Sequence, residues 1–182
     1  MPLQLFLVRH PVPVAADGLC YGRLEVAVEN QTTIAAARSV RKAIPARALA
    51  EAQICSSPSL RCLGLARLIA TPQEPTTHED LTEMNFGDWQ GRGWDEIPRE
   101  QLDAWAADLW NYRPGGGESA AMVAVRWERW ITRMRQSDPR CLIAVTHAGV
   151  IRVALSRCGK TPDATVVAMT VPFGSVHQVT LD

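Results

Sequence analysis

A histidine follows an apolar run at two places in this sequence. Arg9 and His10 come after the run of residues 3–8, and His147 comes shortly after the run of residues 141–145. Imidazole is a competent nucleophile toward phosphorus. The planar guanidinium group of arginine matches the oxygens of a phosphate. Together these residue types indicate phosphoryl-transfer chemistry.

A second arginine and a carboxylate fit the same chemistry. Arg61 lies one helical turn after Ser56 and Ser57, near the start of a predicted helix whose free N–H groups also attract an anion. Glu83 could supply the proton that a leaving alkoxide needs. Clustered positive charge lowers a carboxyl pKa and desolvation raises it, and the sequence does not decide between these two effects on Glu83.

Neither a metal ion nor another cofactor is expected. The strand ends carry no cluster of aspartates, and there is no glycine-rich loop of the nucleotide-binding type. Arginine and histidine would stabilise the transferring group instead. Taken singly, each of these residues has a commoner explanation as a capping or surface side chain, and we assign His78 and His177 to that class. The joint placement of the others at several strand ends favours a site.

The elements that must position these residues alternate between strand and helix. We predict a three-layer α/β/α fold with a mostly parallel sheet, whose strand ends meet at one edge and form the ligand site. The strands are predicted at 3–8, 52–56, 141–145, 165–170 and 175–181. The helices are predicted at 31–43 with Asn30 as the cap, from Pro58 to about 70, at 118–135, and from His147 to about 156.

The whole chain, residues 1–182, is predicted to form a single domain with an inserted segment at about 75–117. The insertion is rich in Trp, Gly, Pro and acidic residues, and short helices are expected in it near 94–97 and 99–111. Trp89, Trp110 and Tyr112 could line a pocket for an aromatic ring, although packing is the commoner role of such residues.

Composition restricts the partners. Lys plus Arg and Asp plus Glu both number 19, so no overall basic field favours nucleic acid or a membrane surface. No apolar run reaches the roughly 20 residues of a membrane helix, and the first residues do not form a signal peptide, so a cytoplasmic protein is expected. The five cysteines indicate neither a disulfide framework nor a zinc site. The oligomeric state is left open between a monomer and a homodimer.

Five segments in order resemble the motifs of the histidine phosphatase superfamily, which has the phosphoglycerate mutase-like fold. They are residues 7–10, 56–61, 81–91, 114–119 and 145–152. The resemblance implies that His10 is the nucleophile and forms a phosphohistidine. It also implies that Arg9, Arg61 and His147 bind the phosphoryl group. Glu83 would act first as the acid and then as the base that activates water.

One segment departs from that family pattern. The family commonly continues Arg-His with Gly-Glu-Thr, whereas this chain has Pro11, Val12 and Pro13. Proline lacks a backbone N–H and fixes its own φ, so one anion contact is lost and the loop is expected to be stiffer.

Residues 18–26 further resemble the α-ribazole phosphatase branch, in which Arg23 would contact the phosphate or the substrate. Gly22, Ser57 and Ala148 are also expected to bind substrate. The resemblance thus implies a metal-independent phosphomonoesterase that acts on a small-molecule phosphate ester, α-ribazole 5′-phosphate, in cobalamin biosynthesis. The alternatives are a broad-specificity phosphatase of the same superfamily and a non-catalytic protein that binds a phosphate ligand.

Overall fold

A five-stranded sheet forms the centre of the molecule in a computed structural model that describes residues 2–14, 17–159 and 169–181. In chain order its strands are β1 (Leu3–Arg9), β3 (Gln53–Ser56), β4 (Thr76–Thr77), β6 (Cys141–Thr146) and β7 (Val176–Leu181). Their spatial order is β4-β3-β6-β1-β7. All pairs are parallel except β1 with β7, which confirms the predicted sheet.

Helices cover both faces of this sheet, as predicted. On one face lie α1 (Asn30–Ala43), α2 (Ala46–Glu51) and α3 (Leu60–Ala70), and on the other lie α5 (Ala120–Arg135) and α6 (Ala148–Arg157). Side chains alternate along a strand, so β1 presents Leu5 and Leu7 to the second face and Phe6 and Val8 to the first. The buried strand β6 contributes to both cores, which explains its uninterrupted apolar sequence.

The inserted segment has its own small core. It contains α4 (Arg99–Ala107) and β5 (Arg92–Gly93), and β5 forms a two-stranded ribbon with β2 (Leu19–Cys20) of the loop after β1. Cys20, Trp89 and Ile97 are buried together beneath this ribbon. The ribbon therefore ties the loop after β1 to the insertion.

Several helix ends differ from those predicted. The cap of α1 is Glu29 rather than Asn30, because the Glu29 carbonyl accepts the first helical hydrogen bond, from the Thr33 N–H. Helix α4 ends at Ala107 instead of residue 111, because the Asp108 carboxylate accepts the Asn111 N–H in a turn. Helix α5 begins two residues later than predicted, where the Ser119 hydroxyl caps it.

Other elements differ in kind. The sequence did not predict four elements, helix α2 and the strands β2, β4 and β5. The strand predicted at 165–170 falls mostly outside the described residues, and Met169 and Thr170 are not in a strand. Among the described helices, none is both long and apolar enough to cross a membrane.

Candidate active site

The register of β1 and β6 brings two histidines together. Arg9 pairs with Thr146 as the last residues of the two parallel strands, so His10 and His147 leave the sheet side by side. Their ring centroids lie 5.1 Å apart, and both side chains are buried. Two residues at opposite ends of the chain thus meet at the carboxyl edge of the sheet, where the sequence placed the site.

His10 is held in one tautomer. Its Nδ1 lies 2.7 Å from the carbonyl oxygen of Pro11, and because a carbonyl only accepts, Nδ1 carries the proton. Burial lowers the pKa of His10 to about 3 against the raising effect of this hydrogen bond, and Arg61 and Arg9 lower it further. The ring is therefore neutral near pH 7, and its Nε2 bears a free lone pair.

His147 is packed between two groups of the segment that follows β3. Its Nε2 lies 2.9 Å from the hydroxyl oxygen of Ser57 and 3.4 Å from the Sγ of Cys62. Burial, followed by the influence of His10 and Arg61, lowers the pKa of His147 well below its usual value. The second histidine is thus also neutral when no anion is bound.

Two guanidinium groups flank the histidines, each fixed by backbone carbonyls. Arg61 donates to the carbonyls of Gly22 and Leu24 at 2.7 and 2.8 Å. Arg9 donates to the carbonyl of Val171 and lies over the ring of Phe173, with its Cζ 3.5 Å from the ring centroid. The Nε atoms of both arginines are buried without a hydrogen-bond partner among the described residues. Buried donors of this kind normally have an acceptor, and a bound anion would provide one.

Glu83 approaches the same place from the insertion. Its carboxylate accepts the N–H of Met84 at 2.9 Å and that of Gly149, in the first turn of α6, at 3.3 Å. Its backbone carbonyl accepts a hydrogen bond from Nε of Arg23 at 2.9 Å. Both the carboxylate and its supporting backbone are therefore held in place.

Two cavities meet at Glu83. The first, of about 300 Å³, also contains Arg9 and has the aromatic walls Tyr21, Phe86, Trp94, Trp105 and Phe173. Trp94 and Trp105 are stacked with an interplanar angle of 6°. The second cavity, of about 260 Å³, is lined mainly by polar and charged residues and is called the polar cavity; Arg23, Arg61 and His147 line it, but so do the carboxylates of Glu25 and Glu79. The first cavity offers aromatic rings for the organic half of an ester.

Residues 5–182 match the family model described as "Histidine phosphatase superfamily (branch 1)". The chain belongs to the histidine phosphatase superfamily. The resemblance carried by the five sequence motifs is thereby confirmed. Within the described residues, no group of three or more His, Cys, Asp and Glu side chains could hold a metal ion.

Sequence relatives of the chain include two bacterial proteins that share one name. It is 32% identical over 120 residues to adenosylcobalamin/alpha-ribazole phosphatase of Salmonella typhimurium, covering 63% of this chain and 59% of that protein. It is 27% identical over 167 residues to the protein of the same name from Escherichia coli, covering 85% and 78%. The aligned part of the chain thus spans less than two thirds of the Salmonella protein.

Solved structures show the same fold. A mycobacterial glucosyl-3-phosphoglycerate phosphatase in complex with VO3 superposes with a TM-score of 0.82 at 26% identity, over 97% of this chain and 92% of that one. A putative alpha-ribazole-5′-P phosphatase from Escherichia coli superposes with a TM-score of 0.80 at 23% identity, over 100% and 92%. The second likeness is one of fold alone.

Three of the remaining predicted residues line the two cavities. Gly22 and Ala148 line the aromatic cavity, whereas Arg23 lines the polar one. Ser57 contacts His147, as described above. The Arg23 guanidinium is directed inward to the Glu83 carbonyl and the Glu118 carboxylate.

The aromatic residues of the cavity are largely not those considered from the sequence. Trp89 is buried in the core of the insertion, and neither Trp110 nor Tyr112 lines the cavity. Tyr21 lies within the segment that resembles the α-ribazole phosphatase branch, so that resemblance could have indicated it. Phe173 carries no such signal, because it reaches the site only through the turn that precedes β7.

Proposed function

We propose that this protein hydrolyses phosphate monoesters through a phosphohistidine formed at Nε2 of His10. The observation that carries the proposal is the neutral His10 ring between Arg9 and Arg61, whose buried Nε–H groups lack partners in the described chain. A bound phosphoryl group would supply the missing acceptors. A nucleophile and the groups that stabilise the transferring charge would then be in one place.

The reaction has two displacements. In the first, Nε2 of His10 bonds to phosphorus, the phosphorus–oxygen ester bond breaks, and the leaving alkoxide takes a proton from Glu83. In the second, Glu83 takes a proton from water, the water oxygen bonds to phosphorus, and the phosphorus–nitrogen bond breaks. Neutral His10 and protonated Glu83 are regenerated, and inorganic phosphate and the alcohol are the products.

The other predicted residues support these steps. We assign phosphoryl binding to Arg9, Arg61 and His147, and transition-state charge is stabilised by their fixed donors. Ser57 orients His147, and the Gly22 carbonyl orients Arg61. Ala148 forms part of the wall of the substrate cavity. The Arg23 guanidinium contributes positive charge at the edge of the polar cavity.

We propose α-ribazole 5′-phosphate as the substrate, in the assembly of cobalamin. The names of the Salmonella and Escherichia coli relatives support this choice. The aromatic walls of the first cavity also favour a flat aromatic base over a bare sugar, because rings pack on rings in offset or edge-to-face arrangements. The reaction would take place in the cytoplasm on a small soluble ester, without nucleic acid or a membrane as partner.

Hydrolysis of an aryl phosphate in the presence of EDTA tests the mechanism. We expect turnover by the wild type and a loss of about 10³-fold or more in kcat for His10→Ala. His177→Ala is the matched control, since His177 lies on β7 and bonds to Ser175 outside the site. An inactive wild type, or a His10→Ala variant with full rate, would show that the mechanism is wrong.

A panel of natural esters then tests the substrate. We expect kcat/KM for α-ribazole 5′-phosphate to exceed that for sugar phosphates and phosphoglycerate. Comparable values for all of them would support the broad-specificity alternative. Tight binding of phosphate without turnover of any ester would instead support a non-catalytic binding protein.

A further inference from the structure

Glu118 is a partly buried carboxylate that the proposed reaction leaves without a role. It lies in the turn before α5 and accepts hydrogen bonds from Arg23 Nη2 at 2.9 Å and from the Asn85 N–H at 2.9 Å. It also accepts from Nε and Nη2 of Arg126, both at 3.2 Å. Its side chain is only 15% exposed. Because it accepts this many hydrogen bonds, the Glu118 carboxylate is held in one position.

Two of these donors connect Glu118 to the backbone directly after Glu83. Arg23 donates Nη2 to Glu118 and Nε to the backbone carbonyl of Glu83, the latter at 2.9 Å. Asn85, two residues beyond Glu83, donates its N–H to Glu118, and its carbonyl accepts the Glu118 N–H at 2.7 Å. The backbone on the C-terminal side of Glu83 is therefore held at two points, one reached through Arg23 and one directly.

The contacts of Glu118 with Arg23, Asn85 and Arg126, here called the Glu118 clamp, are anchored in the body of the protein. Arg126, on α5, is buried and donates Nη1 to the Asp80 carbonyl at 2.7 Å. Burial lowers the pKa of Arg126, and the negative charge of Glu118 opposes that effect. Glu118 thus joins the inserted segment to a core helix through a charged hydrogen-bond network.

We propose that Glu118 is a positioning residue: through Arg23 and the backbone of residues 83–85, it holds the Glu83 carboxyl group at the point where the leaving-group oxygen must receive its proton. The inference rests on the proposed function, because it assigns Glu118 to one half of that reaction. Glu118 itself does not contact the substrate.

Leaving-group dependence separates this role from a general structural one. An acidic phenol departs as a stable anion and needs little help from Glu83, whereas a weakly acidic alcohol needs the proton. Misplacing Glu83 should therefore slow the esters of weakly acidic alcohols selectively. A loss of folded protein or of phosphate binding would slow all esters by the same factor.

The test measures kcat/KM for aryl and alkyl phosphates whose leaving groups span a wide range of acidity. For Glu118→Gln, we expect values within about 3-fold of wild type for the most acidic phenol and a loss of about 10-fold or more for the alkyl ester. Glu128→Gln is the matched control, because it makes the same change at a glutamate that lies on α5 and pairs with Arg157 at the surface. It should leave the whole series unchanged.

A second variant keeps the test decisive if Glu118→Gln fails to fold. Arg23→Met removes the link to Glu83 and leaves Glu118 paired with Arg126. Because Arg23 also lines the polar cavity, we expect a uniform loss for all esters and, in addition to it, the same extra loss for the alkyl ester. In a Glu83→Gln background, neither variant should make the leaving-group dependence steeper. A uniform loss across the series, or none, would overturn the positioning role while leaving the phosphatase intact. A wild type that hydrolyses no ester would overturn the proposed function and this role together.

Discussion

His10 is kept neutral by burial even though its hydrogen bond to the Pro11 carbonyl favours the protonated ring. The same hydrogen bond selects the tautomer that leaves Nε2 free. Proline lacks the backbone N–H but keeps the backbone carbonyl. Pro11 therefore still provides the hydrogen-bond acceptor for Nδ1 of His10. The sequence departure at Pro11 leaves this part of the site intact.

Substitution of Gly149 should lower activity without a comparable loss of stability. A Cβ atom at this position would overlap Oε1 of Glu83. Gly149→Ala should therefore displace the proposed acid and lower kcat by about 10- to 100-fold, because small errors in position are costly in catalysis. Stability should not fall comparably, since alanine is the better helix former. Steady-state kinetics and thermal unfolding measure the two effects.

Gly64→Ala is the control for that prediction. Gly64 also lies within a helix, α3, and its nearest contact for an added Cβ is Thr33 at 4.0 Å. This variant should match the wild type in kcat and should not unfold at a lower temperature. Full activity in Gly149→Ala would show that the position of Glu83 is not critical.

Two turns of the insertion interlock through backbone rather than side chains. Glycines in the turn around Gly87–Trp89 and in the turn around Pro114–Gly116 allow the two backbone segments to come into contact. A Cβ on Gly117 would overlap the Asn85 carbonyl oxygen, whereas one on Gly116 would meet open space. The Glu118 clamp begins directly after this contact.

Substitutions at these neighbouring glycines should differ strongly in stability. We expect Gly117→Ala to separate the turns and lower the free energy of unfolding by about 3 kcal/mol or more, as overpacking against backbone does. Gly116→Ala should cost only about 1–2 kcal/mol, from its positive φ of 74°. Denaturant unfolding of both variants measures the difference. Equal losses would mean that the backbone contact between the turns is not important.

The elements that the sequence predicts well are those with strong periodicity. The buried runs of β1 and β6 and the apolar face of α5 depend on local patterns, and their positions are confirmed within a few residues. The ribbon of β2 and β5 depends instead on pairing between two distant loops, for which a single sequence gives no sign. Cavity walls such as Phe173 depend on the same kind of long-range packing.

The whole molecule should lose stability in mild acid. The folded-state pKa of His10 is about 3, and that of His147 is also lowered, whereas an unfolded histidine titrates near 6.5. Between these values the unfolded chain binds protons that the folded chain does not. Each histidine therefore lowers the free energy of unfolding by up to about 1.4 kcal/mol for every pH unit below 6.5, until the folded pKa is reached.

Urea unfolding of wild type and His10→Asn between pH 7 and pH 4 measures this dependence. The free energy of unfolding should decline less steeply with falling pH in the variant than in the wild type. The two slopes should differ by about 1.4 kcal/mol per pH unit in the steepest region, which corresponds to one proton. Vanadate or phosphate should flatten the wild-type curve, because an anion beside the histidines favours their protonated forms. Parallel curves for the two proteins would contradict a low pKa of His10.

The pairing of β1 with β6 also bears on how the protein is made. His10 is synthesised together with Arg9, but His147 follows only after residues 11–146 have been translated. Because the central strand β6 lies between β1 and β3, the residues before β6 cannot close the sheet alone. A nascent or truncated chain that ends before β6 therefore cannot assemble the paired-histidine site. The site forms only when the central strand joins the sheet.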